Sequence, residues 1–310
     1  MAESPDSIDE IAFLGFGEAA QAFLKGWRAR PGFQARVAAY DIKTDSPDAA
    51  VREGKRADYR GAGVVGAASA VEAAAGAQAI FSVVTADQAH VAALSVLEGL
   101  RAGALFLDCN SCAPQTKARI AERIEAAGGA YVDVAVMAPV HPRLHRTPLL
   151  VGGPRAEAAA GALAALGMAA SIHGGPVGSA SAIKMIRSIM IKGLEALVCE
   201  CVLAGKKAGV DEVVLASLDE MFPGFDWKRR SAYMLERVMT HGVRRAAEMR
   251  EVALTVDGLG LEGAMSRAAV GWHQKVGELG LSAASGDADY RRLADRILDK
   301  MAPSPTGETK

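Results

Sequence analysis

A lysine set among small and aliphatic residues is the first group in this sequence with a claim on chemistry. In GSASAIKMIRSIMIKGL, residues 178–194, Ile183, Ile186, Met190 and Leu194 recur at helical spacing, and Lys184 falls among them rather than in a charged run. An ammonium taken out of water loses part of the solvation that favours its charged form, so its pKa falls from ~10.4 toward neutrality. Such an amine exchanges protons at working pH and suits general acid–base catalysis. The alternative is a lysine whose stem lies along the helix while its head reaches solvent.

A second set lies near the start of the chain. FLGFGEAAQAF places Gly15, Gly17 and Ala20 as G-x-G-x-x-A between an apolar run, residues 11–14, and a helical pattern through Ala20, Phe23, Leu24 and Trp27. The first glycine permits a tight turn, the second lets backbone approach a pyrophosphate, and the small third residue lets the helix pack closely, with its N-terminus facing the phosphates. Phe16, Glu18 and Ala19 belong to the same cradle. Asp41 ends the next apolar run, RVAAYD, at the spacing of a carboxylate that accepts from ribose hydroxyls. A carboxylate there repels a 2′-phosphate and favours NAD; Lys43, two residues on, leaves NADP open. A methyltransferase would use a similar turn and acidic residue. HPRLHR adds a third set, with His141, Arg143, His145 and Arg146 supplying four cationic or titratable groups within six residues, suited to a carboxylate or phosphate or to a solvated loop.

The elements that must position these residues follow from hydrophobic period. Short apolar runs at 11–14, 36–41, 79–84, 104–108, 130–136, 148–153 and 170–175 alternate with helical patterns at about 87–99, 114–127 and 155–166, and Ser69 with Glu72 forms a capping box. Strands joined through helices need crossovers, so the first half is predicted to be a mostly parallel sheet covered on both faces. From Val177 the pattern is helical only: about 178–208, 211–221, 227–240, 243–256, 262–279 and 287–301. The fold predicted is an α/β Rossmann-type domain over residues 1–176, an all-helical domain over 177–302, a long helix joining them, and a mobile tail at 303–310.

Composition narrows the class further. The 310 residues are 50% apolar, enough for two cores, and 35 Lys+Arg against 36 Asp+Glu give no global field toward nucleic acid or an anionic membrane. No run approaches the ~20 apolar residues of a membrane span. Cys109, Cys112, Cys199 and Cys201 follow an acidic, polar start and fit a reduced cytoplasm; Cys109 and Cys112 have C-x-x-C spacing without a second pair, so packing is expected rather than a metal site.

The order of these motifs resembles the β-hydroxyacid dehydrogenase family, which includes 6-phosphogluconate dehydrogenase and 3-hydroxyisobutyrate dehydrogenase. Four landmarks carry the resemblance: the glycine turn, LDCNSCAPQT (107–116), VDVAVMAPV (132–140) and the helix holding Lys184. It spans residues 11 to about 203, and the helical half is only loosely similar to a divergent form of the family's second domain.

The resemblance implies hydride transfer between NAD(P) and a small anionic hydroxy or oxo acid, with Lys184 as the proton-transfer group. It also implies that Val84 and Thr85 lie along the cofactor, and that Asn110 and Ser111 face nicotinamide or substrate. Departures are visible: Ser188 stands where the family has asparagine, and Met137, Ala138 and Pro139 stand where it has Ser-Gly-Gly. His141 and Arg143 are the replacement anion contacts. EMREVAL (248–254) is similar to the family's Lys-Asp-Leu segment and would bring Arg250 to the cofactor. An imine reductase and a dinucleotide-binding regulator without catalysis are the rival readings; the lysine argues against the second, and the cationic loop against the first. A homodimer or higher homo-oligomer is expected from the long apolar helices.

Overall fold

The structure is a computed structural model and describes residues 8–284 and 286–302; the expectation for the tail at 303–310 lies outside them. The chain divides into two compact units, residues 1–185 and 186–310. The sequence boundary at 176 separates strands from helices, whereas the packing boundary falls within one continuous helix.

The first unit is built on β1 (Glu10–Leu14), α1 (Glu18–Arg28), β2 (Arg36–Tyr40), α2 (Ala49–Ala62), β3 (Val65–Gly66), α3 (Ala70–Ala74), β4 (Ala79–Ser82), α4 (Ala89–Leu94), β5 (Leu105–Asp108), α5 (Pro114–Ala126), β6 (Ala130–Val136), β7 (Leu149–Gly152), α6 (Ala156–Ala165) and β8 (Ala170–Ile172). The strands form one sheet in the order β3-β2-β1-β4-β5-β6-β7-β8. The pairs from β3 to β6 are parallel; β6 and β7 are antiparallel, and β7 and β8 parallel. The order reverses direction between β1 and β4, where open α/β sheets take their ligands.

Burial explains why β1, β4 and β5 read as unbroken apolar runs: parallel strands are covered on both faces and show no alternation. On one face Phe13, Phe23, Trp27 and Phe81 pack ring on ring, with Phe13 and Trp27 stacked at 5.6 Å between centroids. On the other, Phe106 stacks on Tyr131 and packs with Ile80, Ile120 and Ile124. Truncating any of the fully buried rings costs roughly 3–5 kcal/mol.

α2 is absent from the sequence expectation. Its charged, low-hydropathy sequence hides the stripe formed by Lys55 and Tyr59, its two buried residues. Asp48 caps it, accepting from the amide of Ala50. Ser69 caps α3 as expected, but the reciprocal Glu72 carboxylate reaches the amide of Ala68 rather than that of Ser69.

α7 (Ser179–Ala208) runs from the first unit into the second, which adds α8 (Asp211–Met221), α9 (Trp227–Gly258), α10 (Ala264–Gly277) and α11 (Tyr290–Met301). The two helices expected at 227–240 and 243–256 are a single helix, α9. Gly242 does not break it; a side chain there would collide with the backbone of His273 and Gly277 on α10, so the residue is small because two helices touch. The core beside it gathers Leu235, Val238, Val276, Leu293 and Ile297.

A buried ionic cluster crosses α7, α9 and α10 within this unit. Lys192 pairs with Glu248 at 2.8 Å and Arg245 with Glu195 at 3.1 Å, and the Nε2–H of His273 donates to the carbonyl of Lys192 at 3.0 Å in the tautomer that carries its proton there. Burial pushes the Glu195 carboxyl up to about 7 against the pull of Arg245, Lys192 and Arg237. Burial also pushes His273 down to about 4, with the cations Arg245 and Lys192 adding to it.

The signs of these shifts oppose each other. Between pH 6.5 and 4 the unfolded chain binds the His273 proton more readily than the folded one, so stability falls with pH; Glu195 contributes the reverse between 7 and 4.5. At pH 5 His273 should cost about 2 kcal/mol relative to pH 7. The His273→Gln variant, which keeps a donor for the Lys192 carbonyl, should therefore lose less stability than the parent on going from pH 7 to pH 5 in urea titrations. Parallel losses would remove His273 from the acid response.

Candidate functional site

Register places the predicted site residues on one edge of the sheet. Tyr40, Leu14, Ser82, Asp108 and Asp133 are paired across five neighbouring strands as one row. The row is the last residue of β2, β1, β4 and β5, while β6 continues to Val136. Asp41, the glycine turn, Val83–Val84 and Cys109–Asn110 are the residues that leave it. Parallel strands of matched length thus deliver these groups to a common carboxyl edge.

The glycine turn shows why its residues are needed. Gly15 has φ of +79°, and a Cβ there would lie 2.9 Å from the Val83 carbonyl oxygen and 2.9 Å from the Val84 side chain. Gly17, before α1, has open space where a side chain would stand, and no side chain caps this helix start. Backbone amides at an uncapped helix N-terminus beside open space suit a pyrophosphate. The residues present therefore fit a dinucleotide: the Gly15 and Phe16 amides are taken by the Tyr40 carbonyl and by Asp41 and shape the turn, and the start of α1 from Gly17 to Ala19 would hold the phosphates.

Asp41 does more than the sequence suggested. Its Oδ2 accepts from the Phe16 amide at 2.8 Å and its Oδ1 from the Lys43 amide at 3.0 Å. The carboxylate is thus fixed against the turn, with its side chain 12% exposed. Lys55 comes up from α2, donates to the Phe16 carbonyl at 2.8 Å and to Asp58 at 2.7 Å, and lies 3.9 Å from Asp41. Lys55 is a site residue that sequence reasoning missed, because the helix carrying it was not recognised.

Asn110 is turned into the protein. It is 3% exposed; its Nδ2 donates to Ser82 Oγ and to Asp108, and its Oδ1 accepts from the Val84 amide at 2.8 Å. The expectation that its amide faces substrate or cofactor is corrected: it braces the segment Val83–Thr85 against the end of β5. Ser111, half-buried, is the outer member of that pair. Met137, also half-buried, gives its amide to the Pro148 carbonyl at 2.9 Å, so this amide is not available to cradle a carboxylate.

The cationic loop is split. His145 is 6% exposed and packed against Gly26 of α1, with burial and the nearby Arg146 and Arg30 lowering its pKa, so it leaves the anion-binding set. His141, Arg143 and Arg146 are exposed. Cys109 and Cys112 are both buried thiols, and no metal-binding cluster occurs among the described residues. Also among the described residues, no helix is long and apolar enough to cross a membrane.

Lys184 is half-buried on α7, within the first unit. Its helix is tied to the row by Asp133, which accepts from both the amide and the hydroxyl of Ser181, three residues earlier. The charge of Lys184 is felt at Cys109, the first residue beyond the row on β5. Ser188 and Arg250 belong to the second unit. The Ser188 hydroxyl lies 3.5 Å from the ammonium of Lys192, and Arg250 donates to Gln274 on α10.

Comparison with known proteins agrees with this geometry. Residues 10–175 match the family profile described as the NAD binding domain of 6-phosphogluconate dehydrogenase, and residues 206–276 match a domain of unknown function, DUF1932. A 3-hydroxyisobutyrate dehydrogenase of Pseudomonas aeruginosa is 29% identical over 230 residues, 71% of this chain and 72% of that protein. A conserved hypothetical protein from Sinorhizobium meliloti 1021 has a solved structure 38% identical, with a TM-score of 0.70 and coverage of 96% of this chain and 98% of that one. The fold is shared with Mycobacterium tuberculosis 3-hydroxyisobutyrate dehydrogenase solved with L-serine, at 17% identity, a TM-score of 0.67 and coverage of 94% and 99%. With the profile matching more than half of its length, the chain belongs to the 6-phosphogluconate dehydrogenase-like family of β-hydroxyacid dehydrogenases and carries that family's NAD(P)-binding domain.

Proposed function

We propose that the protein is an NAD(P)-dependent dehydrogenase of a small anionic hydroxy acid, with Lys184 as the general acid–base. The single observation that supports this most is the tie between Asp133 and Ser181, which holds the helix of Lys184 to the same row of residues that the glycine turn, Asp41 and Val84 leave.

NAD(P) held at this turn would supply the hydride-accepting chemistry needed to oxidise the carbinol carbon. Lys184 Nζ removes the hydroxyl proton as the C–O bond becomes a carbonyl, and in the reverse direction the ammonium returns it. The uncapped start of α1 holds the phosphates, and Asp41, fixed by two backbone amides, accepts from the ribose hydroxyls. His141 and Arg143 take the substrate carboxylate, an arginine offering paired donors. A fixed carboxylate at Asp41 disfavours a 2′-phosphate, so NAD is the preferred form.

Four outcomes are expected. Lys184→Ala should lower kcat by roughly 10²–10⁴-fold on the best hydroxy acid of a panel while leaving NADH affinity, read by fluorescence titration, unchanged; full turnover would remove Lys184 from the reaction. Gly15→Ala, forced to φ of +79° beside Val83, should cost about 1–3 kcal/mol of stability and weaken NADH binding more than tenfold; parental affinity would overturn the phosphate assignment. Asp41→Asn should narrow the NADH-over-NADPH binding ratio. Finally, we propose self-association through α7, where Met190, Ile191 and Leu197 are 68%, 48% and 55% exposed. Light scattering should give at least twice the 32.2 kDa chain mass, and Met190→Glu should halve it; a parent at chain mass sinks this proposal.

A further inference from the structure

A lysine and two aspartates are buried together beneath the first turn of α7, and the reaction proposed above uses none of them. Lys117 of α5, Asp108 of β5 and Asp133 of β6 are each 0% exposed. Lys117 Nζ lies 3.0 Å from Asp108 Oδ1, 2.6 Å from the Asp108 carbonyl oxygen and 3.7 Å from Asp133 Oδ1. Asp108 is further satisfied by the Tyr131 hydroxyl at 2.7 Å and by the amide and side chain of Asn110 at 3.0 and 2.8 Å. Asp133 faces the other way: its Oδ1 accepts from Ser181 Oγ at 2.5 Å and its Oδ2 from the Ser181 amide at 3.0 Å.

Two carboxylates and one ammonium leave a net charge of −1 in a place without water. Burying a charge in that way is costly unless something meets it. The Ser181 amide is one of the first donors of α7, so the positive end of that helix meets part of it. Lys184, one turn further on and on the same side of the helix as Ser181, is the cation that follows. The Cys109 thiol reports the neighbourhood. Its pKa is pushed up to about 12, mostly by burial, and it feels the charges of Lys117, Asp108, Lys184 and Asp133 together. Burial works to lower the Lys117 ammonium, but the two aspartates outweigh it and hold it above the ordinary lysine value, so the group stays charged.

We propose that Asp133, oriented by Lys117, is a positioning residue for Lys184: it fixes the first turn of α7 against the sheet and supplies the negative charge against which the Lys184 amine gains and loses its proton. The inference rests on Lys184 being the acid–base group. The titratable groups around this end of α7 include Asp108 and Cys109 from β5 and its end, Lys117 and Cys112 from α5 and the turn before it, and Tyr131 and Asp133 from β6, all in the first unit, with Arg187 following on α7 itself. Asp133 is the carboxylate in this set that accepts from both the amide and the hydroxyl of Ser181 on α7. Ser181 transmits its position, because a helix held at residue 181 has its rotation and height fixed at residue 184.

The test reads Lys184 directly as well as through turnover. The full-length protein without added cofactor is labelled with limiting acetic anhydride across pH 6–11, and labelling at Lys184 is quantified by peptide mass spectrometry; the pH profile of kcat/KM is measured beside it. Asp133→Asn keeps the shape and an acceptor but removes the charge, and the Lys184 titration should move down by a pH unit or more, with the acid-limb kinetic pKa of hydroxy-acid oxidation, below which the protonated amine cannot act as base, moving the same way. Lys117→Met removes the opposing cation and should move both up. A structural role alone predicts no such opposite shifts. If either variant does not fold, judged by far-ultraviolet circular dichroism, Ser181→Ala carries the test with every charge in place: kcat should fall at least tenfold with NADH affinity unchanged, and Ser181→Thr should restore it. A Lys184 titration identical to the parent in the folded charge variants, or a Ser181→Ala enzyme with parental kcat, overturns the proposal. Shifted labelling together with full turnover by Lys184→Ala would uphold the electrostatic inference and overturn the dehydrogenase reading, so the two failures are distinguishable.

Discussion

Asp133 holds together two things that chain connectivity leaves apart. It sits in the middle of β6, inside the sheet, and its carboxylate takes both donors of Ser181 in the first turn of α7. That bond, with the close packing of Ser179 and Ala180 on Gly152, sets the start of the helix that carries Lys184 against the sheet. The bond is favoured because its partners include an amide at the positive end of a helix and both groups are buried. It is also demanding. A carboxylate with no exposed surface persists only where donors and charge meet it, and the Ser181 amide and hydroxyl together with Lys117, 3.7 Å away, supply them.

The same logic repeats at the cofactor turn on a smaller scale. Asp41 and Lys55 brace the backbone of Phe16 from opposite chemical sides, one accepting from its amide and the other donating to its carbonyl. A turn whose backbone is held on both its amide and its carbonyl gains rigidity from the charged groups placed behind it. Asn110 serves Val84 in the same way, spending its whole amide on the protein. Of the polar residues near the sheet edge, several therefore act on backbone rather than on a ligand. This is why residue type alone overstates the number of groups that meet the substrate.

The helical unit answers a different problem. It buries Lys192, Glu195, Arg245 and His273, with Glu248 half-buried beside them, where an all-apolar core would have been easier to stabilise, and the shifts of Glu195 and His273 show the desolvation involved. Ser188, Lys192 and Glu195 continue along α7 from Lys184 at spacings of three and four residues, so one side of this helix is polar over much of its length. That pattern explains why α7 has only a weak apolar stripe and yet is identifiable from sequence, its length and lack of breakers deciding the matter.

Much of this protein was fixed locally and could be read from the chain: the alternation of short apolar runs with helices, the glycine turn, the change to all-helical pattern after Val177, and Lys184 among small neighbours. These depend on spacing within a few residues, which hydrophobic period and turn chemistry report directly. The structure alone decided what depends on long-range pairing. α2 escaped notice because its two buried residues, Lys55 and Tyr59, carry polar groups, and the burial of Lys55 depends on partners that include the Phe16 carbonyl, 39 residues away. The join at residues 240–243 was misread because Gly242 looks like a break until α10 is known to lie against it. His145 appeared as a cation and proved to be packing; Asn110 appeared as a ligand contact and proved to be a brace. In each case a side chain's role was set by the partner it met across the fold, and partners separated by tens of residues leave no period in the sequence.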